Sequence, residues 1–90
     1  MSARVFTVLS RQWCHLCHEM IAALSPVAAR YGWRIEVVDI DEDPTLEARW
    51  NELAPVLLVD GREICHHRLD AEAVSAFCET FPLESNALPD

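Results

Sequence analysis

The segment Trp13-Cys14-His15-Leu16-Cys17-His18 stands directly after a strand-like apolar run, Val5 to Leu9, and directly before a helix-like pattern. That placement constrains the chain more than any other feature. A Cys-x-x-Cys pair that opens a helix puts two sulfurs on one face, one turn apart. They can close an internal disulfide, and the first lies where unpaired backbone N–H groups favour a thiolate. A strand before the pair and a helix after it point to reversible dithiol chemistry rather than a structural bridge.

The remaining elements follow from periodicity and punctuation. Ala3 to Leu9 reads as a first strand. His15 to about Arg30 reads as a helix with apolar positions at Leu16, Met20, Ala23, Leu24 and Val27. Pro26 is expected to kink that helix or loosen its last turn, and Gly32 to end it. Trp33 to Ile40 alternates as a second strand with Trp33, Ile35 and Val37 on one face. Asp43 as N-cap and Pro44 at the first helical position open a second helix that runs to about Asn51. Pro55 to Val59 is a short, wholly apolar strand. Asp60-Gly61 is the residue pair of a tight hairpin, so Arg62 to about His66 pairs back as a fourth strand. Asp70 caps a last helix with a buried stripe of Val74, Phe77, Cys78 and Phe81. One domain over residues 1–81 results, with 82–90 as a polar, proline-marked tail expected to be loosely ordered.

Ninety residues leave room for a single core, and with 51% hydrophobic residues the chain should fold without cysteine staples. No stretch approaches transmembrane length, and the apolar run after Arg4 is too short for an export signal. Four cysteines without such a signal favour a reducing, cytoplasmic setting. Fifteen acids against seven arginines give a formal charge of −8, which argues against nucleic acid or an anionic membrane as partner. A monomer is expected.

The order strand, helix, strand, helix, strand, strand, helix, with Cys-x-x-Cys after the first strand and a proline starting the third, resembles the thioredoxin fold. The closest likeness is to small bacterial glutaredoxin-like proteins, over about Ala3 to Phe81. Three segments carry it: Trp13 to Cys17, Val38-Asp39-Ile40-Asp41-Glu42-Asp43-Pro44, and Ala54-Pro55-Val56-Leu57-Leu58-Val59-Asp60-Gly61. The resemblance implies an α/β fold with a four-stranded mixed sheet in order 2-1-3-4, helices on both faces, and strand three antiparallel to strand one. It also implies a cis Ala54–Pro55 bond beside the cysteines, with the Ala54 backbone exposed to pair with an extended substrate segment.

The implied activity is disulfide oxidoreduction. Cys14 attacks a protein or small-molecule disulfide and Cys17 resolves the mixed disulfide. Helix-start N–H groups, with Arg11 or His15, are expected to favour the Cys14 thiolate. Trp13, Ala54, Pro55, Arg11, Arg68 and Asp70 are the candidate substrate contacts. No tightly bound cofactor is expected. The Gly-Gly pair with which glutaredoxins approach glutathione is replaced here by His67-Arg68-Leu69-Asp70, which leaves Asp70 for the tripeptide's amine. Glutathione is thus expected to be a poor co-substrate, and a reductase or dithiol donor the better source of electrons.

Other chemistries share some of these residues. Cys14-His15-Leu16-Cys17-His18 also spells a c-type haem attachment pattern, but those proteins are exported, and Met20 is too near to be an axial ligand. Cys14, Cys17, Cys65, His66 and His67 include enough ligand types for zinc or an iron–sulfur cluster on the same scaffold, or the pair could sense redox state without turnover. Convergence on one ion would have to cross strand three. His66 and His67 are expected at the strand end, one inward and one outward, and His18 on a solvated helix face. A Cys65–Cys78 disulfide competes with the simpler reading of Cys78 as a small core residue. Trp33 and Trp50 read as packing, and the acids from Asp39 to Asp43 as complements to a helix N-terminus rather than a cation site.

Overall fold

The computed structural model describes residues 4–12 and 14–87. Its elements are β1 (Val5–Ser10), α1 (His15–Tyr31), β2 (Arg34–Asp39), a 3-10 turn (Ile40–Glu42), α2 (Pro44–Trp50), β3 (Val56–Val59), β4 (Arg62–His66) and α3 (Ala71–Ala87). The sheet order is β2-β1-β3-β4. β1 and β2 run parallel, Val5 opposite Arg34 through Ser10 opposite Asp39. β3 is antiparallel to β1, with Leu9 opposite Val56, and β4 is antiparallel to β3. This is the expected mixed α/β sheet.

The local signals act where the sequence placed them. Gly32 ends α1 in the left-handed region (φ 75°) and its N–H donates to Ala28 O, so the last turn closes without a Cβ penalty. Asp43 accepts the N–H groups of Thr45 at 2.9 Å and Leu46 at 3.3 Å, satisfying two of the donors that a helix start leaves open. Asp60 (φ 52°) and Gly61 (φ 80°) both take the positive φ that a two-residue hairpin turn needs. Asp70 caps α3 by accepting Ala73 N–H at 3.0 Å.

Two sets of apolar side chains flank the sheet. Phe6, Val8, Met20, Leu24, Ala28, Trp33, Leu57, Val59, Val74 and Cys78 pack with α1 and α3 on one face. Leu9, Ile40, Trp50, Val56 and Leu58 pack with α2 on the other. β3 is buried on both faces, as its continuous apolar run requires. Trp33 stacks on Phe6 with ring centroids 4.5 Å apart.

Several expectations need correcting. The stripe of α1 that faces the core is Cys17, Met20, Leu24 and Ala28, whereas Ala23 is exposed. Val37 is 53% exposed, because β2 is an edge strand and only part of it is covered. His66 and His67 are both exposed rather than split inward and outward. The β3–β4 register slips between Leu57 and Leu58: Leu57 faces Cys65 and Leu58 faces Glu63, so Ile64 is the extra residue. α1 continues through Pro26, which lies on its exposed side. α3 continues through Pro82 to Ala87, beyond the Phe81 boundary read from the sequence. The Phe81 side chain and residues 88–90 fall outside the described set.

Candidate redox site

β1 ends at Ser10, and α1 starts at His15, so the cysteine pair crowns the C-terminal end of the sheet's central parallel strand. Cys14 is the N-cap of α1, extended at φ −103° and ψ 102°, and Cys17 sits in the first turn. Their sulfurs are bonded, with the Cα atoms 5.2 Å apart. Cys17 N–H donates to Cys14 Sγ at 3.1 Å. The capping role that Ser or Asp ordinarily fills is thus taken by a sulfur, and the same N–H would meet a Cys14 thiolate once the pair is reduced. Cys14 is half-buried and Cys17 is 0% exposed, so a partner can reach only the first sulfur.

Pro55 precedes β3, whose Val56 lies opposite Leu9 near the end of β1, so the register brings Pro55 to the cysteine end of the sheet. The Ala54–Pro55 bond is cis. Ala54 is half-buried and Pro55 buried. The loop after β4 is tied to this segment twice. His67 N–H donates to Pro55 O at 2.8 Å, and His67 Nε2 bonds Glu52 O at 2.9 Å. His67 takes φ 66°, the left-handed geometry that a glycine adopts without strain.

Arg11 is not a free cation beside Cys14. Its guanidinium bonds Asp41 at 3.1 Å through Nε and 2.8 Å through Nη2, reaches Glu47 at 3.7 Å, and bonds the Asn51 side chain and carbonyl. It ties the β1–α1 loop to the 3-10 turn and α2, so its charge is already met by protein acids. The partners lie thirty to forty residues away, which hid them from sequence reading. His15 is likewise engaged, with Nε2 2.8 Å from Glu19 on a strongly exposed face. Of the expected thiolate stabilisers, the one in contact with Cys14 Sγ is the helix-start N–H. Asp70 spends one oxygen on its own helix cap. Arg68 is exposed, and Trp13 lies outside the described residues.

Cys65 and Cys78 are both free thiols. Burial pushes both thiols above their ordinary 9.0; at Cys65 a hydrogen bond with the Asp70 backbone opposes this and the Asp70 and Glu63 charges add smaller upward pushes, while at Cys78 Glu79 adds to it. Among the described residues, no three His, Cys, Asp or Glu side chains come together as metal ligands would. His66 instead bonds Glu63 on its own strand. Asp43 caps α2, as read from the sequence; Asp39 caps the 3-10 turn, and Asp41 serves Arg11.

These differences among the cysteines define an expected labelling pattern. In the reduced protein near neutral pH, Cys14 should alkylate first, because it alone combines access with a helix-start N–H, and Cys65 and Cys78 should lag. The lag should shrink as pH rises toward and beyond 9. Folding raises both thiols, half-buried Cys65 and buried Cys78, so each adds stability that is complete below its ordinary value and lost as pH climbs through the folded one. Mass-mapped alkylation over a pH series checks the first point, and denaturation above pH 9 checks the second. Equal labelling of all four thiols would remove the case for a favoured nucleophile.

A parallel–antiparallel sheet in this order, with a Cys-x-x-Cys pair capping the first helix and Pro55 at the same sheet end, defines a thioredoxin-fold protein. The chain belongs to the glutaredoxin-like domain family (DUF836), which it matches over residues 5–79. A Nitrosomonas europaea protein solved by solution NMR is 35% identical, aligning 86% of this chain with 93% of that one at a TM-score of 0.75. A protein from X. campestris is also 35% identical, over 86% of this chain and 99% of the other, with a TM-score of 0.66. Thioredoxin 1 of Thermosipho africanus, 22% identical over 91% and 98%, shares the fold at a TM-score of 0.63. Among the described residues, no helix is long and apolar enough to cross a membrane.

Proposed function

We propose that this protein is a thiol–disulfide oxidoreductase that works through Cys14 and Cys17. The observation that carries the reading is the asymmetry of the pair: an accessible Cys14 sulfur that receives a backbone N–H, and a fully buried Cys17 bonded to it. In the reducing direction, the Cys14 thiolate attacks one sulfur of the partner's disulfide. That S–S bond breaks, and the departing sulfur leaves as a thiolate that takes up a proton. The Cys17 thiolate then attacks Cys14 Sγ in the mixed disulfide and releases the second partner thiol. Two electrons have passed to the partner, and the protein is left with its Cys14–Cys17 bond. A dithiol donor or reductase reverses the last state by the same exchange. Protein disulfides fit this scheme because Cys14 Sγ is accessible; of the Ala54 backbone, however, the N–H is already donated to Trp50 O at 3.1 Å, so it is not available to pair with an extended chain.

Glutathione fits less well. Arg11 is committed to Asp41 and Glu47, one oxygen of Asp70 is committed to Ala73 N–H, and His67 occupies the left-handed position with an imidazole attached. What remains for a carboxylate is Arg68. Turnover of a model protein disulfide should therefore be slow with glutathione as reductant, and faster with a dithiol donor or a thioredoxin-reductase system. Side-by-side assays at equal reducing equivalents test this. Efficient, saturable glutathione-dependent turnover would contradict the assignment of electron donor. Absence of activity with either donor would contradict the oxidoreductase reading itself, and metal and colour in protein purified without chelator would then point to a binding module.

A further inference from the structure

A groove of about 240 Å3 runs along α1 away from the cysteines. It starts at Leu16, between the two cysteines in sequence, and extends past Met20 to Ala23. The seven steps of helix from Leu16 to Ala23 make that about 10 Å of length. The opposite wall is the loop after β4, with His67, Arg68 and Leu69. Leu16, Met20, Ala23 and Leu69 give it apolar lining, His67 adds an imidazole, and two of its lining residues are charged, Glu19 and Arg68. The two differ in what they have left to offer. Glu19 is already bonded to His15 Nε2 at 2.8 Å.

Arg68 stands apart from most of the arginines in this chain. Arg11 and Arg34 lie against carboxylates, and Arg30 and Arg49 lie over aromatic rings. The Arg68 guanidinium has no acidic partner among the described residues, in a chain whose formal charge is −8. Arg62 shares that condition, but it follows the Asp60-Gly61 turn at the sheet end opposite the cysteines. The loop that presents Arg68 is also held in place. His67 is tied to Pro55 O and Glu52 O, and Arg68 N–H donates to His66 O at 2.7 Å. A fixed backbone therefore sets an uncompensated cation on the rim of an apolar groove that begins at the reactive pair.

We infer that this groove docks the polypeptide flanking a target disulfide, seating one apolar side chain between α1 and Leu69 and a neighbouring carboxylate on Arg68. The inference rests on the oxidoreductase reading and adds a partner preference to it: apolar segments with acidic flanks. The overall negative charge opposes such partners at long range, but at physiological salt that repulsion fades beyond about 8 Å. The Arg68 contact acts inside that distance.

Two symmetric peptide disulfides test it, each with a leucine near its cysteine and differing only by a flanking Asp or Lys. The wild-type protein should prefer the Asp peptide by about fivefold in kcat/KM, expressed in KM, the size expected of one partly exposed ion pair. Arg68→Gln should erase the preference and Arg68→Glu should reverse it. Ala23→Trp, which fills the groove from an exposed position, should raise KM for both peptides and leave turnover of hydroxyethyl disulfide unchanged. An Asp-to-Lys ratio in Arg68→Glu equal to that of wild type would overturn the inference, as would Ala23→Trp without effect on peptide KM. If the wild type turns over neither peptide, the oxidoreductase reading fails on its own. Titration of the Cys14→Ser protein with the serine versions of both peptides, followed at the Ala23 and Leu69 amides by NMR, then decides the docking site. Asp-selective shifts that vanish in Arg68→Glu would support it, and no shifts there would refute it.

Discussion

Cys14→Ser should reduce disulfide exchange to the uncatalysed background, whereas Cys17→Ser should keep the first step and lose the second. A serine hydroxyl does not ionise near neutral pH and cannot replace a thiolate as nucleophile. Cys14 is the only one of the pair that a partner can reach, since Cys17 is 0% exposed. In Cys17→Ser the mixed disulfide on Cys14 has no internal thiol to resolve it, because Cys65 lies on β4 and Cys78 on the buried face of α3. It should accumulate as a covalent adduct that an added dithiol releases. Gel shifts and mass spectrometry read this directly. Both variants should fold, because the core forms without the bridge. If Cys14→Ser retained turnover, or if the adduct formed on Cys65 or Cys78, the assignment of roles would be wrong.

The largest expected loss of stability is Phe6→Ala. Phe6 is 0% exposed, the second residue of β1, stacked on Trp33 and packed with Leu24, Val74 and Cys78 in one cluster. Removing a buried phenylalanine loses its transfer free energy and leaves a cavity, together about 3–5 kcal/mol. Domains of this size have roughly 5–15 kcal/mol in total, so the variant should be marginal at ambient temperature. Val37→Ala is the contrasting case. Val37 is 53% exposed on the edge strand, and its truncation should stay within about 0.5 kcal/mol. Urea denaturation of both oxidised proteins gives the comparison. A Phe6→Ala loss no larger than that of Val37→Ala would contradict the packing described for this face.

What the sequence made legible was the chemistry of single positions. Gly32, the Asp43-Pro44 pair, Asp60-Gly61 and Asp70 each impose a backbone conformation or cap that depends on neighbours within four residues, and each acts as read. The cysteine pair is of the same kind. Its placement between a strand and a helix follows from local pattern alone. The antiparallel course of β3 relative to β1 was not legible in that way. It entered through the likeness to the thioredoxin fold.

Features that depend on distant residues were misread or missed. Alternation in β2 put Val37 on one face with Trp33 and Ile35, but how much of that face is buried on an edge strand is set by what the neighbouring layers cover. The off-register face of α1 has the same origin. Periodicity located a stripe, and packing against α3 and the sheet chose Cys17 and Ala28 over Ala23. The Ile64 bulge has no local signature in Arg62 to His66. Arg11 looked like a partner for substrate because its own partners, Asp41, Glu47 and Asn51, come from elements far along the chain. The bulk of His67 and Arg68 in place of two glycines was visible from the start. Their use, one to anchor a loop and the other to present a cation, needed the fold.

The most direct measurement is a single-turnover reaction between reduced protein and a protein disulfide in excess, quenched by alkylation and mapped by mass spectrometry. The expected result is one Cys14–Cys17 disulfide formed for each partner disulfide reduced, with Cys65 and Cys78 recovered as alkylated thiols. A partner that stays oxidised, or one that is reduced while Cys14 and Cys17 both remain thiols, would contradict the dithiol mechanism.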